Sequence, residues 1–97
     1  MIPSDSIKVR WSPEAADDLE QIVRRIQRDN PTAARDVAER IYEAIGSLSA
    51  SPGRGRAGRI QGTRELVLAP LPWIVVYRVR QEAVEVARIY HGAQDWP

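Results

Sequence analysis

The residue pattern of the last third of the chain, from Thr63 onward, constrains the fold more than any other feature. Three runs rich in β-branched and aromatic residues follow one another there, at residues 64–69, 73–80 and 83–90. Short segments of turn residues separate the runs, and this arrangement predicts a three-stranded antiparallel meander. Four arginines interrupt the runs: Arg64, Arg78, Arg80 and Arg88. A strand buried on both faces would not carry them, so we expect one face of the sheet to be polar and basic.

The N-terminal half of the chain carries one more strand pattern and two helix patterns. Residues 7–11 alternate apolar and basic side chains, which is the period of a half-buried strand, and we expect this strand at an edge of the sheet. Helix starts follow at Ser12 and at Asn30, because each can accept from free N–H groups and is followed by Pro, which suits the first turn. Apolar side chains recur at helical spacing after each start, so residues 13–50 are predicted to form an antiparallel helical hairpin.

Together these patterns predict an α+β fold with the element order β-α-α-β-β-β. In this fold the helical hairpin covers one face of a small, mainly antiparallel sheet. A chain of 97 residues is typical of one domain, so residues 1–97 are expected to form a single domain.

The segment between the helices and the meander, residues 51–59, contains three Gly and one Pro and is predicted to be irregular. It also carries three arginines, Arg54, Arg56 and Arg59. A glycine-rich basic loop can surround a phosphate, because its backbone N–H groups are accessible. The glycine spacing does not match that of a P-loop, and the segment has no lysine. Contact with a target and a plain flexible linker are therefore both open interpretations.

Several kinds of site are disfavoured by what the sequence lacks. Without cysteine, neither a disulfide nor a thiolate metal site can form, which suits a reducing cytoplasm. The one histidine, His91, has no second histidine to share a metal, so we expect neither a metal nor a cofactor. No apolar run approaches the ~18 residues of a bilayer span, and no secretory signal is recognisable. The sequence therefore predicts a cytoplasmic protein without a membrane partner.

The net charge of +1 conceals an asymmetry between the two halves of the chain. Residues 51–97 contain seven Arg and four Asp or Glu, whereas residues 1–50 contain seven Lys or Arg and nine Asp or Glu. A local basic field of this kind favours an anionic partner. A solvated, arginine-rich surface without a partner is the alternative interpretation.

The meander contains an ordered set of short segments. They are Arg64-Glu65-Leu66, Val75-Val76-Tyr77-Arg78-Val79, Arg88-Ile89-Tyr90-His91-Gly92 and the terminal Asp95-Trp96. With the N-terminal strand and the two helices, this set resembles the RelE/ParE superfamily, the toxins of type II toxin–antitoxin systems, over almost the whole chain. The resemblance implies a toxin that inhibits bacterial growth and an antitoxin, encoded next to it, that folds a C-terminal segment onto the toxin.

The resemblance is closer to the ParE branch, whose members act on DNA gyrase, than to the branches that cleave mRNA on the ribosome. The cleaving branches carry Arg at the start of an Arg-X-Val-Tyr pattern in the central strand, and Ile74 stands there in this chain. The ending His91-Gly92-X-X-Asp95 also resembles the ParE branch. The resemblance therefore implies inhibition of gyrase or replication by a protein that is not an enzyme. A ribosome-dependent mRNA endonuclease is the alternative, and a non-toxic binding module of the same fold is a further one.

The candidate site residues follow from the resemblance and from the basic pattern. Those expected to contact the target are Arg54, Arg56, Arg59, Arg64, Arg78, Arg88, Tyr90 and His91. In a ribonuclease Arg64, Arg78 and His91 would be catalytic, since metal-free cleavage needs positive charge and proton transfer. The apolar residues expected to bind the antitoxin are Trp11, Leu71 and Trp73. A homodimer and a toxin–antitoxin hetero-oligomer are both open.

The predicted meander also implies which of these side chains share a face of the sheet. Arg64 and Arg78 are expected on one face. Because side chains alternate along a strand, Arg88 and Tyr90 are expected to share a face, with His91 pointing to the other.

Overall fold

Two helices packed on one face of a five-stranded sheet make up the computed structural model, which describes residues 7–94 and 96–97. The strands are β1 (Lys8–Trp11), β2 (Arg56–Ala57), β3 (Arg64–Val67), β4 (Trp73–Arg80) and β5 (Ala83–His91). The helices are α1 (Pro13–Gln27) and α2 (Pro31–Gly46), followed by two short 3-10 turns, Ser47–Ser49 and Pro52–Arg54. The predicted α+β fold and its element order are confirmed, with one short strand added.

The added strand is β2, and it shows that the prediction of an irregular segment over residues 51–59 is wrong at Arg56 and Ala57. These two residues pair antiparallel with Glu65 and Arg64 of β3. The guanidinium of Arg56 donates to Oε1 of Glu65 from Nε at 3.2 Å and from Nη2 at 2.9 Å. This cross-strand ion pair holds the two residues in the ladder, because opposite charges facing each other stabilise a strand pair.

The strand order across the sheet is β1-β5-β4-β3-β2. Strands β3, β4 and β5 form the predicted antiparallel meander. Strand β1 lies at an edge, as predicted, and pairs parallel with the first half of β5, from Lys8 opposite Ala83 to Trp11 opposite Val86.

Both helices begin where the sequence predicts, because their capping side chains make the expected bonds. The hydroxyl of Ser12 accepts from the backbone N–H of Ala15 at 2.9 Å, and the side chain of Asn30 accepts from that of Ala33 at 3.0 Å. The Ser12 hydroxyl also donates to the carbonyl of Ala87 at 2.8 Å. The start of α1 is therefore fastened to β5.

The two faces of the sheet differ in what they bury. The face covered by the helices, called here the helix face, holds the main core, to which α1 and α2 contribute Leu19, Ile22, Ile41 and Ile45 and the sheet contributes Leu66, Val75, Tyr77, Val84, Val86 and Ile89. The other face, called here the open face, carries a small apolar cluster of Ile74, Val76 and Tyr90, on which Ala87 and Trp96 pack. The open face is thus basic in one part and apolar in another, since Arg78 alternates with Tyr77 along β4.

A β-bulge divides β5 into two halves. Val76 pairs with Arg88, but the next residue of β4, Tyr77, pairs with Val86, which leaves Ala87 without a partner in the ladder. The first half of β5 pairs with β1. The second half passes α1 instead, where the side chain of Asp18 accepts from the backbone N–H of Ile89 at 2.8 Å. The bulge therefore marks the point at which a helix replaces a strand as the neighbour of β5.

Candidate functional site

The second half of β5 and helix α1 form a cleft of about 370 Å³. Its lining includes three of the residues predicted to bind the target, Arg88, Tyr90 and His91. The remaining lining residues are Asp18, Gln21, Ile22, Arg25, Trp73, Ile89, Gln94 and Trp96. Aromatic rings, side-chain amides and charged groups therefore converge where β5 ends.

His91 is held in one orientation by three contacts. Its Nδ1 accepts from the backbone N–H of Ala93 at 3.0 Å, and its own backbone N–H donates to the side chain of Gln94 at 2.7 Å. Its ring meets the ring of Trp73 edge-on, with centroids 5.0 Å apart. Since Nδ1 is an acceptor here, the neutral ring carries its proton on Nε2 and offers a donor to the cleft.

Arg88 is bound to helix α1. Its Nε and Nη2 donate to the two carboxylate oxygens of Asp18 at 2.8 and 3.1 Å. This hydrogen-bonded carboxylate raises the pKa of Arg88 above its ordinary value, although partial burial lowers it. A bidentate pair of this geometry fixes the guanidinium plane. Arg88 therefore lines the cleft with its charge already paired.

Tyr90 lies on the open face beneath Trp96. The two ring centroids are 5.3 Å apart, the planes differ by 14°, and Tyr90 is only 4% exposed. Burial raises the pKa of the Tyr90 hydroxyl, and the carboxylate of Glu65 raises it further, whereas Arg59 and Arg56 lower it. The stacking face of Tyr90 is thus occupied by a side chain of the same protein.

Glu65 is the buried acid of the open face, with 2% of its surface exposed. Besides its pair with Arg56, its Oε2 accepts from the backbone N–H of Arg59 at 3.2 Å. The side chain of Arg59 in turn donates to the carbonyl of Trp96 at 2.6 Å. Two arginines of the loop are therefore brought to the cluster around Tyr90, which lies far from them in the sequence.

Arg64 fastens the loop that follows α2. Its Nη1 donates to the carbonyls of Gly55 and Gly53 at 2.8 and 3.3 Å. Tyr77, its partner across the ladder, donates its hydroxyl to the carbonyl of Pro52 at 2.7 Å and accepts from the N–H of Gly55 at 2.8 Å. These contacts hold the loop through both its backbone N–H groups and its carbonyl groups.

The phosphate-binding interpretation of this loop loses its main support, because the backbone donors are in use. Four of them already donate within the protein: Arg54 to Ser51, Gly55 to Tyr77, Gly58 to Thr63 and Arg59 to Glu65. The side chain of Arg54 also donates, to the hydroxyl of Ser47 at 2.6 Å. A phosphate would have to displace these bonds.

Arg78 differs from the other five arginines predicted to bind the target. In the described part of the chain it makes no side-chain hydrogen bond or ion pair, whereas each of the other five makes at least one. Across the ladder Arg78 faces Glu85, which also faces Arg10 of β1 but forms its ion pair, at 3.7 Å, with Arg80. The expectation that Arg64 and Arg78 share a face is wrong, because Arg64 pairs with Tyr77 and adjacent side chains alternate.

Comparisons with known proteins identify the family to which this chain belongs. The sequence profile of the ParE toxin of type II toxin–antitoxin systems, parDE, matches residues 9–96. The chain belongs to the ParE toxin family. It is also 42% identical over 90 residues, 93% of each chain, to the Sinorhizobium fredii protein Y4kP, whose name marks it as a candidate toxin.

Two solved structures place this ParE toxin in the RelE/ParE fold. The chromosomal ParDE toxin–antitoxin system from P. aeruginosa matches with a TM-score of 0.82 and 27% identity, covering 91% of this chain and 98% of that one. The RelBE2 toxin–antitoxin complex from Mycobacterium tuberculosis matches with a TM-score of 0.64 and 23% identity, covering 95% and 98%, which shows the shared fold alone. The resemblance to the RelE/ParE superfamily is therefore confirmed, and the chain is a toxin of the type II toxin–antitoxin class.

The three residues that would be catalytic in a ribonuclease do not converge in this toxin. Arg64 and Arg78 point to opposite faces of the sheet, as the register requires. His91 pairs with Trp73, at the far end of β4 from Arg78, which is about 17 Å away at the rise of a strand. Arg78 therefore lies apart from both Arg64 and His91 in this arrangement.

The apolar residues expected to bind an antitoxin also lie apart. Trp11 pairs with Val86 of β5, whereas Trp73 pairs with His91, about 17 Å further along that strand. Leu71 belongs to the turn between β3 and β4 and packs, like Trp73, against the core of the helix face. Trp11 also packs against this core, and its ring meets that of Tyr42, with centroids 5.2 Å apart. The three residues therefore share the helix face but lie along different parts of it.

Sequence reasoning missed the contribution of α1 to the cleft. Asp18 of α1 binds Arg88, 70 positions further along the chain, and neither residue carries a local signal of this pairing. The one local signal for Glu65 was its position as the single acid between Arg54 and Arg80.

Two further features bear on the kinds of site present. No cluster of three His, Cys, Asp or Glu side chains suited to a metal ion occurs among residues 7–94 and 96–97. Within the same residues, neither helix has the length and apolar character needed to cross a membrane.

Proposed function

We propose that this toxin arrests bacterial growth by binding DNA gyrase or another part of the replication machinery, and that it does so without cutting RNA. Membership of the ParE family and the similarity to a ParDE system support this target over the ribosome. In this role the protein is a binding inhibitor that needs neither metal nor cofactor.

The observation that carries the proposal is the environment of Ile74. This residue stands where the mRNA-cleaving branches hold an arginine, and it packs with Val76 and Tyr90 in the open-face cluster, 8% exposed. An alkyl side chain cannot donate to a phosphate oxygen, and loss of one preorganised donor typically costs ~10²–10³ in rate. Arg78 cannot replace it, because it lies four residues along β4, roughly 13 Å away.

The orientation of His91 disfavours a role as general base, but not one as general acid. A general base must accept a proton at a nitrogen that faces the substrate. With Nδ1 accepting from Ala93, the nitrogen left for the cleft carries the proton, so His91 is placed to donate to a partner. His91 and the neighbouring Arg25 suit a surface that holds an anionic or carbonyl group of another protein.

The proposed target-binding surface centres on Arg78, since its charge is unpaired within the described residues. Tyr90, Arg56 and Arg59 support the open face beside it, and Arg54, Arg64 and Arg88 act through the loop and the helix that they hold.

Expression of the chain alone in bacteria tests the target, with nucleoid morphology, gyrase–DNA cleavage complexes and mRNA integrity measured in parallel. We expect growth arrest with altered nucleoids and intact mRNA.

Two single substitutions separate binding from catalysis. Arg78→Ala is expected to lower toxicity strongly, whereas Arg35→Ala, an exposed arginine of α2, serves as the matched control and leaves it unchanged. His91→Gln keeps size and hydrogen bonding but removes imidazole acid–base chemistry, and it is expected to retain much of the toxicity. Toxicity lost in His91→Gln while the protein still folds, together with mRNA cut at ribosomal A sites, would establish the ribonuclease alternative instead.

We further propose that an antitoxin encoded next to this chain neutralises it in the cytoplasm. Residues 1–97 would act as one domain, and Trp11, Leu71 and Trp73 would contribute to the covered surfaces. Co-expression with the neighbouring gene tests this partner, since a stable complex should purify together and restore growth. Chromatography of the toxin alone and of the complex would distinguish a homodimer from a hetero-oligomer. Harmless expression of the unmutated chain alone would argue for a non-toxic binding module.

A further inference from the structure

The two edges of the sheet differ in what they leave free. At one edge β2 is two residues long, and its neighbour Glu65 is enclosed by Arg56 and Arg59. At the other edge β1 has four residues that pair with β5 on one side only, and no strand among the described residues lies on its other side. An unpaired strand edge is a template on which another strand can form.

The hydrogen bonds of β1 identify which backbone groups face outward. The N–H groups of Lys8 and Ser12 donate toward β5, to the carbonyls of Glu82 and Val86. Because backbone groups alternate in direction along a strand, both the N–H and the C=O of Val9 and of Trp11 point away from β5.

Ile7 follows the same alternation. Its N–H points outward and donates to the carbonyl of Ser49 at 3.0 Å, and its carbonyl accepts from the hydroxyl of Ser49. The 3-10 turn after α2 thus closes the outer edge at Ile7. No group among the described residues bonds to the outward groups of Val9 and Trp11.

The side chains of β1 give this edge two different flanks. Lys8 and Arg10 are exposed on the open face, where Arg78 lies two strands further inward, on β4. Val9 and Trp11 point to the helix face, and the ring of Trp11 continues into the ring of Tyr42, which is 58% exposed. One flank of the edge is therefore cationic and the other is apolar and aromatic.

We propose that the β1 edge takes an added β-strand from the toxin's protein partner, and that this strand alternates acidic and apolar residues. Its backbone would bond to the outward groups of Val9 and Trp11. Its acidic side chains would lie over Lys8 and Arg10, and its apolar side chains would cover Val9 and the Trp11–Tyr42 pair. The inference deepens the proposed function, on which it rests for the existence of an antitoxin, by assigning the strand, its position and its pattern.

Two other occupants of the β1 edge, a second copy of this chain and a nucleic acid, fit it less well. A second copy that paired its own β1 here would bring Lys8 and Arg10 of both copies together, and like charges across a strand pair are destabilising. A nucleic acid would satisfy the cations but would leave the aromatic flank uncovered.

The test uses the full chain and a synthetic peptide in which glutamate alternates with valine. Two control peptides have lysine in place of glutamate, or the same residues in a non-alternating order. On binding, the amide protons of Val9 and Trp11 are expected to exchange at least about tenfold more slowly, whereas those of Lys8 and Arg10 are already bonded to β5 and change little. Neither control peptide is expected to protect them.

A pair of charge reversals supplies the matched variants. Lys8→Glu with Arg10→Glu is expected to weaken binding of the acidic peptide at least about tenfold, since two ion pairs are replaced by repulsion. Arg28→Glu with Arg35→Glu makes the same change in net charge at exposed helical sites and should leave binding unaltered. Equal weakening in both pairs, or protection of amides elsewhere than Val9 and Trp11, would overturn the proposal.

Failure of this inference can be told apart from failure of the proposed function. If the neighbouring protein neutralises the toxin but the exchange of Val9 and Trp11 is unchanged in that complex, the edge is not the docking site and the toxin assignment stands. If the peptide protects both amides in a chain that proves harmless to cells, the β1 edge binds a strand as proposed, but the toxin function is refuted.

Discussion

Tyr77 shows how one side chain connects the centre of the sheet to a loop. It is fully buried, and its hydroxyl bonds to Pro52 and Gly55. Tyr77→Phe is therefore expected to lower the free energy of unfolding by about 1–3 kcal/mol, because two backbone groups lose their partner without gaining water. Urea denaturation measures the change.

Tyr42→Phe is the matched control, since it removes the same hydroxyl from a ring that is 58% exposed. Its unfolding free energy is expected to stay within about 0.5 kcal/mol of the original protein. A loss as large as that of Tyr77→Phe would show that the anchoring of the loop is not the cause.

The hydroxyl of Tyr90 gives the protein a defined response to alkaline pH. Burial and the neighbouring Glu65 raise its pKa above the ordinary value of 10.0, so the folded state holds this proton more tightly than the unfolded chain. The contribution to stability is complete below the unfolded pKa and is lost as pH rises through the folded pKa. The unfolding free energy is thus expected to fall as pH rises above about 10, and to fall less in Tyr90→Phe.

Other titrating groups are common to both proteins, so the difference between their pH profiles isolates Tyr90. Identical profiles would mean that the raised pKa has no counterpart in the folded protein.

The burial of Tyr90 was not predictable from the sequence, because Trp96 and Glu65 come into contact with it only in the folded chain.

The elements of the fold were predictable to the degree that their signals are local. The caps at Ser12 and Asn30 and the apolar periodicity of both helices lie within a few residues of the structure that they specify. Strand β2 could not be predicted in this way, because Arg56 is held by Glu65 and Gly55 by Tyr77, which are distant in sequence. Glycine content alone indicated irregular structure, whereas the contacts show an anchored segment.

The loop that contains β2 offers a test with its own control. A Cβ at Gly55 would lie 2.7 Å from the Tyr77 hydroxyl oxygen and 2.9 Å from the carbonyl oxygen of Glu65, whereas a Cβ at Gly53 meets nothing within 4 Å. Gly55→Ala is expected to lower the unfolding free energy by about 1–3 kcal/mol through overpacking. Gly53→Ala should be neutral or slightly stabilising. Denaturation of both variants checks the pair, and equal effects would contradict the close approach of Gly55.

At the scale of the whole molecule, Trp96 closes the open face over its apolar cluster. Trp96→Ala is expected to lower the unfolding free energy by about 1–3 kcal/mol, since the stack on Tyr90 and the cover over the cluster are lost together. The bond from Arg59 is retained, because it goes to the backbone carbonyl. Pro97→Ala is the control, and a matching loss there would assign the effect to the chain end in general.

The overall architecture was predictable, but the candidate site was predictable only in part. The order of strand and helix patterns, with the family resemblance, was enough for the fold. The cleft depends on which side chains meet across β5 and α1, and pairs such as Asp18 with Arg88 have no local signature. Five of the six arginines chosen for their charge are bonded within the chain, which composition cannot reveal.

The parallel pairing of β1 with β5 has a consequence for synthesis of the toxin. The hydroxyl of Ser12 and the carbonyl of Ala87 that it meets are 75 positions apart. Strand β1, which precedes Ser12, pairs with β5 and with no other strand of the described chain. While the polypeptide is still emerging from the ribosome, its first strand has nothing to join. The pairing of β1 is completed only after β5 has been made, so residues 7–50 cannot complete the sheet on their own. Contacts between such distant segments slow folding, so the newly made toxin exists for a time before the surfaces that depend on the β1–β5 pairing have formed.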